Sequence, residues 1–553
     1  MCKTVLVIFL VIIFHAYGNE EYVTRNTKYG LIRGVVKSSR VVGSSTKFYY
    51  FSGIPYAKPP VGKLRFQAPV PLERWEGVKD AIKLKPICTQ YFQGMTVDQI
   101  VGDEDCLYLD LATPKRANDG KLPVLVWIHG GGFTYASRQQ LGPDTFMEES
   151  VVVVQIEYRL NVFGFLSTQD EYAMGNAGLK DQVAALEWVR DNIVYFGGDP
   201  GKVTIFGSSA GGSSVQLHML FHKSRDLFHR AISESGTPLN PWSFQRDPLE
   251  TTLRLAKGLG IRSNDSQTIV DRLQKVSAED LLSVAYNESI VGPFLPLLKF
   301  AFLPSIEKES PTAFITARAF KLLEKNVTKI VPYMMGYNTE EGSYPYLFIT
   351  RGRVDFGLYE ERPELMIPTS MNIAGGSLCE TQTVSKIRKY YFDNGPFNVT
   401  EYWINYMGYQ QFILGILKST EFICQARQYP LYFYKFSYEG SHDTSVLGGA
   451  GHYVEVFYLL YPDDPIWRTN ETESDRLTRR RMVKMWTNFA TWGNPTPYEE
   501  PLLQNVRWPT FCGSESYLDI GSDLLLARKP DKKHVQFWND QFEKCGYPPY
   551  YTY

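Results

Sequence analysis

The stretch VTIFGSSAGGSSVQ, Val203–Gln216, runs from an apolar strand-like start, through glycines and serines, into a helix-like tail. Its centre, Gly207-Ser208-Ser209-Ala210-Gly211, fits G-x-S-x-G between a strand and a helix, the setting of a nucleophile elbow. The strand-to-helix turn is sharp. Gly207 and Gly211 remove side chains that would collide with neighbouring backbone, and the middle residue is held strained with its hydroxyl pushed out above the sheet edge. That residue is Ser209. Ser208 points elsewhere, and Ser213 and Ser214 fall inside the helix. The helix N-terminus beneath Ser209 favours negative charge.

An elbow of this kind needs a sheet behind it. Leu122–Ile128 (LPVLVWI) and Val151–Ile156 (VVVVQI) read as buried strands. Gly178–Ile193 places Leu179, Val183, Leu186, Val189 and Ile193 at helical period. Strand, helix and strand in succession predict a mostly parallel central sheet flanked by helices. Past residue 240 helical segments dominate, Thr251–Leu259 among them, with strand-like runs at Ile330–Tyr333 and Leu431–Phe436. No repeat, linker or composition shift divides the chain. The expectation is one large α/β domain with insertions.

A nucleophilic serine needs an oxyanion hole, a base and an acid. His129-Gly130-Gly131-Gly132-Phe133 follows a strand upstream, and its glycines let backbone N–H groups approach a carbonyl oxygen. Gly131, Gly132 and Ala210 are the expected donors. Among the histidines, His129 precedes the glycines, and His218, His222 and His229 lie on or just after the helix behind Ser209. His534 sits in a charged C-terminal stretch. His442 and His452 remain, and His452 is favoured because it ends the small-residue loop Gly448-Gly449-Ala450-Gly451. The acid belongs between serine and histidine, after a strand. Lys329–Tyr333 is strand-like, and Glu340 and Glu341 follow it; either suits the chemistry.

The N-terminus predicts export. Lys3 precedes the apolar run Val5–Phe14, and Ala16-Tyr17-Gly18 suits cleavage after Gly18, so residues 1–18 read as a signal peptide and 19–553 as the hydrolase domain. The run is too short to span a bilayer, and no other stretch is long enough. The ending CGYPPYYTY carries neither a GPI tail nor a retention signal. The expected protein is secreted, without a membrane anchor. A formal net charge of -1 gives no electrostatic support for a nucleic-acid partner.

Of seven cysteines, Cys2 leaves with the signal. An even set remains, which suggests disulfides in an oxidising compartment. Cys88 and Cys106 are the simplest pair, and closing their loop stabilises by about 3 kcal/mol. Cys379, Cys424, Cys512 and Cys545 allow three pairings. Asn264, Asn287, Asn326, Asn398 and Asn470 begin N-x-S/T sequons, candidate glycosylation sites in an exported chain.

Together these residues resemble the type-B carboxylesterase/cholinesterase family of α/β-hydrolases, above all insect carboxylesterases. The resemblance rests on FSGIPYAKPPVGKLRF (51–66), EDCLYL (104–109), WIHGGGF, YRLNVFGFL (158–166), GNAGLKDQ (175–182), FGGDP (196–200), the elbow and EEG. It implies an α/β-hydrolase fold and a small-molecule ester substrate, with no metal or organic cofactor. It places the acid at Glu341, the glutamate before Gly342, and the base at His452, in G-x-x-H. Cys88–Cys106 matches the family's first disulfide, whereas Ile261 and Arg272 occupy the positions of a second. The chain departs from the family elsewhere. Ser208 stands where many relatives carry glutamate and juvenile hormone esterases usually carry glutamine. Tyr453-Val454-Glu455 follows the histidine where a small residue and an acid are common. The Cys88–Cys106 loop lacks the tryptophan that stacks on choline in cholinesterases.

The implied reaction is two-step acyl transfer through Ser209, Glu341 and His452. A juvenile-hormone-type esterase is one alternative, separable by kinetics on the hormone against short-chain esters. A non-catalytic adhesion or binding protein is another, and an intact triad argues against it.

Overall fold

The computed structural model describes residues 21–41, 43–93, 98–115, 121–287, 300–325, 329, 331–348, 356–397, 399–426, 429–463 and 467–546. The expected signal peptide, Asn326 and Asn398 lie outside them. A 13-stranded sheet organises the chain. Its main strands are β1 (Tyr22–Asn26), β2 (Leu31–Ser38), β3 (Lys47–Pro55), β4 (Tyr108–Pro114), β5 (Leu122–Ile128), β6 (Val152–Ile156), β7 (Gly198–Ser208), β8 (Arg230–Glu234), β9 (Tyr333–Asn338), β10 (Leu431–Phe436), β11 (Ser516–Ile520) and β12 (Leu524–Arg528). They lie in the order β1-β2-β3-β4-β6-β5-β7-β8-β9-β10-β11-β12, and Val78–Asp80 pairs with β2 off this path. From β6 to β11 every neighbouring pair is parallel. The β1–β4 end and the β11–β12 hairpin are antiparallel.

The central strands are buried on both faces, which is why β5 and β6 read as unbroken apolar runs. Val124, Val126 and Ile128 enter one core, with α1 (Ala177–Asn192), α2 (Ala210–Leu220) and α5 (Leu414–Ala426). Leu125 and Trp127 enter the opposite core under α6 (Glu473–Trp492). Helix α3 (Pro248–Gly258) packs on the first core, while α4 (Leu378–Phe392) and α7 (Lys532–Cys545) enclose a third, aromatic cluster. Among the described residues no helix is long and apolar enough to cross a membrane.

One expected boundary moves. The strand read at Lys329–Tyr333 starts at Tyr333 and runs to Asn338. Pro332 has no N–H to give to a ladder, so pairing begins after it. The shift carries the strand up to the acidic loop.

The family-like motifs meet as buried ion pairs. Arg159 of YRLNVFGFL holds Asp181 of GNAGLKDQ through Nε and Nη2, each at 2.7 Å. Lys180 pairs with Glu307, and Arg65 with Glu104. Asp181 is fully buried, so Asp181→Asn leaves Arg159 charged and only partly satisfied. The expected cost is about 3–5 kcal/mol, read as a lowered denaturation midpoint; a loss below about 1 kcal/mol would contradict this account.

Cys88–Cys106 is bonded, with the Cα atoms 4.8 Å apart. The other four form Cys379–Cys545, tying α4 to α7, and Cys424–Cys512. Ile261 is buried in the first core and Arg272 is exposed, so apolar packing occupies one end of the missing second bridge. Asn264, Asn287 and Asn470 are exposed.

Candidate active site

Ser209 sits between β7 and α2 with φ 59° and ψ -121°. A non-glycine residue holds such a conformation only where its surroundings over-determine it. Here they do. A Cβ on Gly207 would lie 2.5 Å from the Ile128 carbonyl oxygen, and one on Gly211 only 2.0 Å from the same atom. A Cβ on Gly236 would meet the Ser209 carbonyl oxygen at 1.9 Å. The Ser209 N–H donates to the Glu234 carbonyl at 2.8 Å, locking the elbow to β8.

The triple glycine comes against this turn. A Cβ on Gly130 would stand 3.2 Å from Cβ of Ser209. Gly131 and Gly132 have φ 91° and 60°, conformations that favour glycine. The Gly131 carbonyl turns away to accept from Thr134 and Tyr135 N–H groups at 3.0 and 3.1 Å. Ala210 is the first residue of α2, where a helix leaves its N–H groups without intrahelical partners.

The two glutamates that suit the chemistry, of which the resemblance favours Glu341, make different contacts. Glu341 is 1% exposed, and its Oε2 contacts His452 Nδ1. Its Oε1 accepts from the Asn338 N–H at 2.7 Å and from the Ser235 hydroxyl. Glu340 instead accepts from the Val446 and Leu447 N–H groups, holding the loop that leads to His452. Further bonds sew the two loops together. Glu340 N–H donates to the Ala450 carbonyl, Ala450 N–H to Thr339 Oγ1, and Asn338 Nδ2 to the Gly451 carbonyl, at 2.8, 2.8 and 2.7 Å. Phe412 and Tyr344 flank the imidazole, with ring centroids 4.5 and 5.1 Å away.

The remaining histidines are elsewhere. His442 packs on Phe457 and Tyr458. His534 stacks on Tyr409 at 3.7 Å. His218 bonds to Ser224 and Gln182. Burial pushes the His129 and His218 imidazoles down to about 3, so both stay neutral.

Sequence reasoning missed Ser235 and Asn338. Ser235 immediately follows Glu234, the residue whose carbonyl holds Ser209, and so it joins the elbow to Glu341. Its only local sign is a polar Ser-Glu-Ser step closing a buried strand.

The chain matches the carboxylesterase family over residues 21–538. It is 32% identical to a carboxylic ester hydrolase of Bombus ignitus, over 95% of each chain. It is 33% identical to a juvenile hormone esterase of Tribolium castaneum, over 87% of this chain and 84% of that one. The crystal structure of a juvenile hormone esterase from Manduca sexta, with OTFP covalently attached, superposes with a TM-score of 0.83. That match has 26% identity and covers 95% of this chain and 100% of the other. The architecture is the α/β-hydrolase fold, and the chain belongs to the carboxylesterase family.

Proposed function

We propose that the protein hydrolyses carboxylic esters through an acyl-enzyme on Ser209, with His452 as base and Glu341 as its orienting acid. The observation that carries this reading is the contact of Glu341 Oε2 with His452 Nδ1, held one residue from the strand partner that locks Ser209. His452 takes the Ser209 proton as the hydroxyl attacks the ester carbonyl. The Gly131, Gly132 and Ala210 N–H groups receive the developing oxyanion. His452 then protonates the leaving alcohol, and water enters by the same route to release the acid. Glu341 keeps the imidazole proton on Nδ1, leaving Nε2 free to accept. Phe412 and Tyr344 beside His452 favour substrates with apolar groups around the ester.

The same reading includes removal of residues 1–18, a mature chain of 19–553, secretion, and glycosylation at Asn264, Asn287, Asn326, Asn398 and Asn470. The three disulfides and the exposed positions of Asn264, Asn287 and Asn470 support it.

A fluorophosphonate probe tests the chemistry. The secreted protein should be labelled on the peptide that contains Ser209, and Ser209→Ala should abolish the label. A folded protein that resists labelling would refute the hydrolase reading. The two juvenile hormone esterases among the relatives favour a second, narrower reading, hydrolysis of that hormone. It requires kcat/KM on the hormone to exceed that on short-chain esters.

A further inference from the structure

A polar row lies on the α6 face of the sheet, behind Glu341 and His452. The parallel register sets Ser208 of β7 beside Glu234 of β8, Glu234 beside Gly336 of β9, and Gly336 beside Tyr434 of β10. Residues paired across adjacent strands present their side chains on one face. Two residues earlier, the same register aligns Phe206, Ile232, Met334 and Tyr432, all in the α6 core. The polar row is therefore continuous with an apolar wall. Gly336 makes room for the tyrosine: a Cβ there would meet Tyr434 Cγ and Cδ1 at 2.5 Å. Glu455, three residues after His452, is buried between Val454 and Val456 of the α6 core and accepts from the side chain of Asn338, two residues beyond Gly336 on β9.

Ser208, Glu234, Tyr434 and Glu455 are all fully buried. Ser208 Oγ, Glu234 Oε2, Glu455 Oε1 and Tyr434 Oη make no hydrogen bond among the described residues. The other two carboxyl oxygens are committed. Glu234 Oε1 accepts from Trp486 Nε1 at 2.7 Å, and Glu455 Oε2 accepts from Asn338 Nδ2. The charges acting on Glu455 carry its own sign. The titratable groups facing the pair are Glu341 from the β9 loop, Tyr434 from β10, Tyr453 from the histidine loop and, across Glu341, His452.

We propose that Glu234 and Glu455 hold a shared proton, bridged to Ser208 and Tyr434 by a buried water, and that this pair positions Asn338, and through it Glu341 and His452, for ester hydrolysis. The positioning role rests on the hydrolase reading above. Two like carboxyls in a dry interior do not both ionise. Burial pushes Glu234 up to about 8, and burial with Glu234 beside it pushes Glu455 well above the usual range. A buried water needs about three hydrogen bonds, and four buried oxygens here lack one. Asn338 transmits the state of the pair. Its side chain donates to Glu455 and to the Gly451 carbonyl, while its backbone donates to Glu341. Loss of the shared proton sets Glu455 against Glu341 and pulls on that residue.

Infrared titration of the wild-type protein reads the proton directly. A neutral carboxylic-acid C=O band should persist at neutral pH and disappear only above about pH 8. Glu234→Gln and Glu455→Gln should each remove or shift it. Glu157, which burial pushes up to about 7, contributes a band that neither substitution moves. The folded chain binds this proton between about pH 4.5 and 8 and the unfolded chain does not, so stability falls as pH rises through that window. Glu234→Gln should flatten the fall in thermal midpoint. In kinetics, wild-type kcat should drop at least about fivefold from pH 7.5 to 9.5, and that of Glu234→Gln less than about twofold, with KM steady. A merely structural role would lower activity equally across pH.

Failure to find a band that titrates above neutrality in the wild type overturns the proposal, whether or not the variants fold. So does a band, or an alkaline limb, that both variants leave untouched. Fluorophosphonate labelling of the same preparation separates the two claims. Labelled protein without the band refutes the shared proton and leaves the hydrolase reading standing. Unlabelled protein with the band refutes the positioning role together with the reading beneath it.

Discussion

Ser209→Ala is expected to lower kcat for a simple ester by about a million-fold, and adding His452→Ala should lower it no further. The two side chains act as one unit: the imidazole has nothing to deprotonate once the hydroxyl is gone. The residual rate comes from substrate held against the Gly131, Gly132 and Ala210 N–H groups. Alanine keeps the Cβ of serine, so the elbow geometry and the thermal midpoint should hold. The check is kcat for the single and double variants on one substrate. Independent, multiplying losses would show that Ser209 and His452 do not work together. A loss below about a hundredfold would place the nucleophile elsewhere.

Glu341→Gln is expected to cost about ten-thousand-fold in kcat with little loss of stability. The reason is local. Glu341 Oε1 accepts from the Asn338 backbone N–H, a donor that cannot rotate away. The one oxygen of glutamine must serve that N–H, so its amide NH2 faces His452 Nδ1. The imidazole then accepts at Nδ1 and carries its proton on Nε2, where it can no longer take one from Ser209. Glu340→Gln is the control. Glu340 accepts from loop N–H groups and does not contact the imidazole, so its loss should be far smaller. Equal losses in the two variants would sink the assignment of Glu341 as the orienting acid.

Much of the site was legible because its demands are local. The elbow needs small residues within two positions of Ser209, and the contacts that a Cβ on Gly207 or Gly211 would make show why. The helix read at Gly178–Ile193 stands at Ala177–Asn192, and Leu122–Ile128 and Leu431–Phe436 stand as strands over those residues. The Cys88–Cys106 pair spans a short loop and needed no further information. The Lys329–Tyr333 strand was misplaced because its apolar residues continue past Pro332, and only the pairing of β9 with β8 and β10 sets where it begins.

By itself the sequence determined the fold class, and it pointed to Ser209 as the proposed nucleophile, to the glycine loop against it and to a short choice of bases and acids. Each depends on residue types within one turn or one strand. Residue chemistry left Glu340 and Glu341 open and the resemblance favoured Glu341; the tertiary structure sets Glu341 against His452, brings Ser235 and Asn338 to it, and pairs Cys379 with Cys545. Most of these partners lie far apart in the chain, by 106 residues for Ser235 and Glu341, 111 for Glu341 and His452, and 166 for that disulfide. Their meeting is dictated by sheet register and by which loop crosses the strand ends, and neither is written in any local pattern of residues.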